Sequence, residues 1–105
     1  GARSGLTGFV AGLARQVASG GVTVNNLLPG TFDTDRLQSN LVAGARQASQ
    51  ELQAYTEQRV AAIPARRFGQ AEEFGAACAF LCSQQAAYIT AQNLLIDGGA
   101  FPGTL

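Results

Sequence analysis

Val22-Thr23-Val24-Asn25-Asn26-Leu27-Leu28-Pro29-Gly30-Thr31-Phe32-Asp33-Thr34 is the stretch that decides the fold of this chain. A β-branched and apolar run stops abruptly at Pro-Gly, as a buried strand does when it delivers a tight turn to the edge of a sheet. In open α/β folds that edge is where ligands bind. Pro29 fixes φ and removes a donor, while Gly30 lets a flat ligand approach the main chain. The backbone N–H of Phe32 and the hydroxyl of Thr34 are then candidates to hydrogen-bond an amide or a phosphate. The same run also reads as a strand followed by an ordinary turn.

Outward from this stretch, composition sets bounds. The chain has 105 residues, 47% of them hydrophobic and only 13% charged. That excludes disorder and fits one small domain or part of a larger one. Seven basic and seven acidic residues cancel, so nothing steers the chain to nucleic acid or an anionic membrane. All the basic residues are Arg. The chain has neither Lys nor His, which removes the two nitrogen bases used most near neutral pH. A Ser-His-Asp relay is therefore excluded, although Ser4 and Asp97 are present. No stretch is long and apolar enough to span a bilayer. The first residue is Gly rather than Met, so the chain reads as starting inside a longer protein. Cys78 and Cys82, spaced i,i+4, supply at most half of a zinc site; a pair of small, buried, reduced residues in a cytoplasmic protein is expected.

Periodicity predicts a first helix over Ala2 to Ala18, with Leu6, Phe9, Val10, Leu13 and Val17 as its apolar stripe. Gly5, Gly8 and Gly12 interrupt it at about 1 kcal/mol each, which close approach of a second helix or of the sheet would explain. Ser19-Gly20-Gly21 stops the helix, and Val22 begins the strand. Asp35 to Val42 reads as a short helix. Ala45 to Ala61 reads as a longer polar one, with Leu52, Tyr55, Arg59 and Val60 on its inner side. Ile63 to Gly69 is irregular. Glu72 and Glu73 then occupy the first turn of a further helix, at the positive end of its dipole, with Phe74, Ala77, Cys78 and Leu81 as its buried stripe. Asn93 to Ile96 reads as a second strand, closed by Asp97-Gly98-Gly99. Strands separated by helices imply parallel pairing, and two strands alone cannot form such a sheet. The chain therefore reads as the back half of a larger α/β domain.

Several segments together resemble the short-chain dehydrogenase/reductases. Val22 to Asn25 leading to Pro29-Gly30 and Thr34 is similar to that family's sixth strand and cofactor turn. Arg67-Phe68-Gly69 with Glu72-Glu73 is similar to the entry into its last long helix. Ala79 to Ser83, Tyr88 to Gln92 and Ile96 to Gly99 resemble its C-terminal signature, nearest to the 3-oxoacyl-(acyl-carrier-protein) reductase branch. The resemblance implies a doubly wound Rossmann-like parallel sheet, of which residues 1–105 supply the last two strands and their covering helices. It implies NAD or NADP as cofactor, a small-molecule carbonyl or alcohol substrate, and a homodimer or homotetramer built on the first helix and the last helix and strand. Pro29, Gly30 and Phe32 would line the nicotinamide pocket, Thr34 would donate to the carboxamide or pyrophosphate region, and residues 35–63 would be the substrate-binding flap. That flap shows no charged cluster in sequence that names a substrate.

Two departures from the family pattern bear on activity. Arg3 falls where the family has the Lys of its Tyr-x-x-x-Lys pair. It could stabilise a phenolate or bond to ribose hydroxyls, but it cannot relay a proton; a plain helix-start residue is the other reading. The glycine-rich pyrophosphate turn and the catalytic Ser are not within these residues, so a 105-residue molecule alone would be inactive. A non-catalytic relative kept for ligand binding or assembly is the alternative. Ala91 stands where the family usually has Gly, and Ala71 where Pro is common.

Overall fold

In the computed structural model of the chain, residues 2–102 are described, with side chains from residue 8 onward. The described residues form α1 (Ala2–Val17), β1 (Asn26–Pro29), α2 (Asp35–Gln47), α3 (Leu52–Ala61), α4 (Ala71–Leu81) and β2 (Asn93–Ile96). They divide into two compact units, one of residues 2–28 and 75–95, the other of 29–74 and 96–102. The strands pair directly. Asn26 N–H donates to Gln92 C=O at 2.9 Å, and Gly30 N–H to Ile96 C=O at 2.9 Å. Both partners advance by the same number of residues, so the pairing is parallel, as the helix-separated strands imply.

In the first unit, a side-chain clasp fixes the start of the ladder. Asn25 donates from Nδ2 to Ile89 C=O at 3.1 Å and accepts from Gln92 N–H at 3.0 Å through Oδ1. Val24 N–H donates to Thr90 Oγ1, and Ala91 N–H to Val24 C=O at 2.8 Å. These bonds hold Val24 and Asn25 in place while the regular strand starts only at Asn26, later than the expected start at Val22. The clasp also needs Ala91 at φ +61°, the left-handed region that favours glycine.

The helices correct the sequence reading at several places. In α1 the buried side is Val10 and Ala14, whereas Phe9 is 69% exposed and Leu13 is also exposed. The expected stripe is thus wider than the surface these residues cover. A Cβ on Gly8 or Gly12 would meet nothing within 4 Å, so no close neighbour within the described residues accounts for them; Gly5 and Leu6 lie outside the described side chains. Along α4, Phe74, Ala77 and Leu81 are half-buried, but Cys78 and Cys82 are both exposed and free. The expected burial of the thiols fails because they face an open cavity of about 470 Å³, shared with Val24, Leu27 and Leu81.

In the second unit, the short helix runs on to Gln47, and the long one expected from Ala45 to Ala61 is interrupted. Ser49 adopts φ +55°. Its N–H donates to Arg46 C=O and the Gln50 N–H to Ala45 C=O, the paired bonds of a Schellman stop. Ser in place of the usual glycine hid the stop. Leu37, Leu41 and Ala45 are buried on one side of α2, which packs on α3, and Ile63 completes the buried apolar set of this unit. Gly44 permits the approach: a Cβ there would collide with the Tyr55 ring and hydroxyl. Leu52 is exposed, while Tyr55, Arg59 and Val60 are half-buried as expected.

Candidate functional site

The turn after β1 is held on two sides within the second unit. Gly30 sits so close to the end of β2 that a Cβ would lie 2.6 Å from Asp97 Cβ and 2.7 Å from its Cα. Packing against Asp97 by itself therefore requires glycine at this position. Asp97 organises its own turn, accepting from Gly99 N–H and Phe101 N–H through its two carboxylate oxygens, each at 3.0 Å.

Beyond Gly30 the chain pairs with the irregular segment before α4. Gly69 N–H donates to Thr31 C=O at 3.0 Å, and Asp33 N–H donates to Gly69 C=O at 2.8 Å. This parallel bridge centres on Phe32 and Gly69. Bonds to residues 31 and 33 direct the N–H and C=O of Phe32 to the opposite side. Among the described residues, the Phe32 N–H has no partner. The Phe32 ring covers Gly69, where a Cβ would collide with it, and meets Phe74 edge-to-face at 5.7 Å and 87°. The ring thus anchors the residue and leaves its amide presented by a fixed backbone.

Thr34 caps α2. Its Oγ1 accepts from Leu37 N–H at 3.1 Å, which uses a lone pair and leaves the O–H free to donate. Pro29, Phe32 and Thr34 border one open cavity of about 480 Å³, which Arg36, Asn40 and Arg59 also border. The structure therefore brings Pro29, Gly30, Phe32 and Thr34 together around one space. The side chain of Arg3, the other sequence candidate, lies outside the described residues.

Arg36, Asn40 and Arg59, which also border this cavity, were not singled out from sequence as site residues. Arg36 and Asn40 have i,i+4 spacing, a signal that marks a shared helix face but not what the face borders. Arg59 comes from another helix and joins them only through the packing of α2 on α3. Residues 35–63, which show no charged cluster in sequence, place two arginines on the border of this one cavity.

On the other side of Phe32, a small cavity of about 70 Å³ is bordered by Arg67, Glu73 and Asp97. Arg67 grips Glu73 with two hydrogen bonds, at 2.7 and 2.8 Å. Glu73 Oε1 also accepts from Gln70 N–H at 2.9 Å, satisfying an orphan donor at the start of α4. The bond from Arg67, and then that from the Gln70 backbone, hold the Glu73 carboxyl down at about 2; the Arg67 guanidinium is raised in turn by the same hydrogen bond. Both carboxylate oxygens are committed to structure, so this pair fixes the segment behind Phe32 and is no general acid or base. No cluster of potential metal ligands occurs among the described residues.

Residues 1–100 match the family profile described as enoyl-(acyl carrier protein) reductase. The chain belongs to the short-chain dehydrogenase/reductase family. Among curated relatives of this family, the chain is 42% identical over 100 residues to the 3-oxoacyl-[acyl-carrier-protein] reductase FabG of Escherichia coli (strain K12), covering 95% of this chain and 36% of that protein. It is 34% identical over 107 residues to the acetoacetyl-CoA reductase of Allochromatium vinosum, with the same coverage. Among solved structures it matches YwfH, described as an NADPH-dependent reductase involved in bacilysin biosynthesis, at a TM-score of 0.85 and 35% identity, over 96% of this chain and 38% of that one. A short-chain dehydrogenase family protein from Francisella tularensis matches at a TM-score of 0.84 and 26% identity, over 92% of this chain and 40% of that one. The chain thus spans about a third of the length of these curated short-chain dehydrogenase/reductases, and its α/β architecture is theirs. No helix among the described residues is long and apolar enough to cross a membrane.

Proposed function

We propose that residues 1–105 are the C-terminal part of a Rossmann-like domain in an NAD(P)-dependent oxidoreductase that interconverts a carbonyl compound, of the 3-oxoacyl type, and its alcohol. The observation that carries this reading is that Phe32, whose N–H has no partner among the described residues, and Thr34, whose O–H is left to donate, border one cavity. The two donors suit the carbonyl oxygen of a carboxamide and a nearby anionic oxygen, which are what a nicotinamide dinucleotide offers. When bound, that cofactor supplies the hydride that a carbonyl carbon accepts, or takes it back from the alcohol.

The chain's own residues hold and orient. Pro29 and Phe32 would give the flat ring an apolar, rigid wall, and Thr34 would donate while its lone pair keeps the start of α2 in place. Residues 35–63, comprising α2, α3 and their connection, would form the substrate-binding flap. At the position where the family has its Lys, Arg3 would stabilise a phenolate or bond to ribose hydroxyls without relaying a proton. Reduction also requires a proton on the substrate oxygen; no group of this chain is assigned to it.

A second copy of the protein is the proposed partner, in a homodimer or homotetramer. Exposed Phe9 and Leu13, together with the open space beside Gly8 and Gly12 on α1, support this reading. A large apolar side chain facing water, next to glycines that cost helix stability, suits a helix from another subunit. A cytoplasmic location belongs to the same proposal, which the free Cys78 and Cys82 suit.

The test is a spectroscopic assay of the natural full-length protein with NADH or NADPH and a short 3-oxoacyl thioester. Loss of the reduced-nicotinamide absorbance, matched by hydroxyacyl product, is the expected result. Cofactor binding without turnover would replace this reading with the non-catalytic one that Arg3 suggests. Absence of cofactor binding would contradict both.

A further inference from the structure

We infer that Arg36 and Arg59 form an oxyanion-binding pair in the substrate flap, and that the substrate is a small carbonyl compound bearing a carboxylate or phosphate group. This rests on the reading of the Pro29–Thr34 turn as the nicotinamide wall. Both arginines border the open cavity that adjoins that turn. Pro29, Phe32 and Leu37 offer apolar surface for a carbon skeleton, and Asn40 adds an amide donor beside the guanidinium groups.

The placement follows from packing. Burial of Leu37, Leu41 and Ala45 fixes the rotation of α2, which sets Arg36 and Asn40 on the adjoining flank, one helical turn apart. The close contact at Gly44 and Tyr55 locks α3 alongside, and the last turn of α3 carries Arg59 to the same cavity.

Electrostatics favours an anion there. No carboxylate borders the cavity among the described residues, and neither arginine has an ion-pair partner among them. Asp33, the nearest acid before α2, accepts from Gln38 Nε2 at 2.9 Å. Two guanidinium groups facing one space repel each other, and a bound oxyanion relieves that repulsion. Local stability does not explain Arg36: it lies in the first turn of α2, where a cation opposes the helix dipole. A residue that works against its own helix is better explained by a ligand. Arginine's planar fork matches carboxylate and phosphate oxygens with two parallel bonds.

The experiment uses the natural full-length protein and three substrates of one carbon skeleton: a 3-oxo carboxylate, a 3-oxo phosphate ester and the neutral ester of the first. Parent, Arg36→Gln, Arg36→Lys and Arg59→Gln proteins are compared for KM, kcat and cofactor dissociation constant. For at least one anionic substrate, each Gln variant should raise KM roughly ten- to a hundred-fold, the scale of a lost charge-assisted hydrogen bond. Arg36→Lys should recover part of that loss, and kcat, cofactor affinity and the neutral ester should be unchanged. The carboxylate and phosphate arms identify which oxyanion is taken. Equal KM changes for charged and neutral substrates would overturn the proposal, and so would weakened cofactor binding at constant KM, which would assign the arginines to the cofactor's phosphates. If the parent protein binds no dinucleotide, the underlying reading fails instead. Calorimetric titration with malonate then decides the pair alone: binding abolished by Arg36→Gln supports it, and no binding by the parent protein rejects it.

Discussion

The hydroxyl oxygen of Thr34 accepts the Leu37 N–H at 3.1 Å, so one side chain serves two ends of the structure. Its lone pair caps α2 and its proton remains for a ligand. Thr34→Ala should therefore cost about 1 kcal/mol of stability through the lost cap and also weaken NAD(P)H binding. Thr34→Ser should restore both. Thermal melting together with fluorescence titration of the cofactor on the full-length protein separates the two effects. A melt that moves while cofactor affinity stays put would leave Thr34 as a cap only.

Gly30 is packed against Asp97 at distances no Cβ tolerates. Gly30→Ala should destabilise by roughly 1–3 kcal/mol, the usual cost of overpacking, and shift the turn that carries Phe32. Chemical denaturation measures the first, and a raised cofactor dissociation constant reports the second. An unchanged denaturation midpoint would show that the turn yields easily.

Ala91 holds a left-handed backbone at φ +61° inside the Asn25 clasp. Ala91→Gly should stabilise the protein by about 0.5–1 kcal/mol, because relief of backbone strain exceeds the added entropy of the unfolded chain. A higher melting temperature without change in kcat is expected.

The Arg67–Glu73 pair predicts an acid dependence. The folded carboxyl titrates at about 2, below its unfolded value near 4.5. Its stabilising contribution is thus complete above the unfolded value and disappears as pH falls towards the folded one. Both side chains are largely solvated, so the contribution is small. Glu73→Gln should flatten the stability profile between roughly pH 4.5 and 2, seen by urea unfolding at successive pH values. An identical slope in parent and variant would remove the pair from the account.

Much of this fold was legible in sequence because the decisive signals are local. Pro29-Gly30 ends a strand, Glu72 and Glu73 open a helix, and Asp97-Gly98-Gly99 closes the second strand. What escaped depends on contacts. The stop at Ser49 lacks its customary glycine, and only the Schellman bonds reveal it. The α1 stripe could be read, but not which part of it this chain covers, so Phe9 and Leu13 were expected inside. Cys78 looked buried because its neighbours are apolar, yet it faces an open cavity. Pro29, Gly30, Phe32 and Thr34, singled out from one continuous stretch, border one cavity. Arg36 and Arg59 were not singled out, since they border one cavity only once α2 packs on α3.

The central claim is that the Phe32 N–H receives the nicotinamide, and it can be observed at that atom. Full-length protein labelled with nitrogen-15 at phenylalanine, with the Phe32 signal assigned by substitution, would be titrated with NADPH and separately with the phosphorylated ADP-ribose that lacks nicotinamide, and with the NADH pair likewise. The Phe32 amide proton should move downfield with at least one intact dinucleotide and remain in place with its truncated form. No movement with either dinucleotide, or equal movement with the truncated forms, would contradict the assignment.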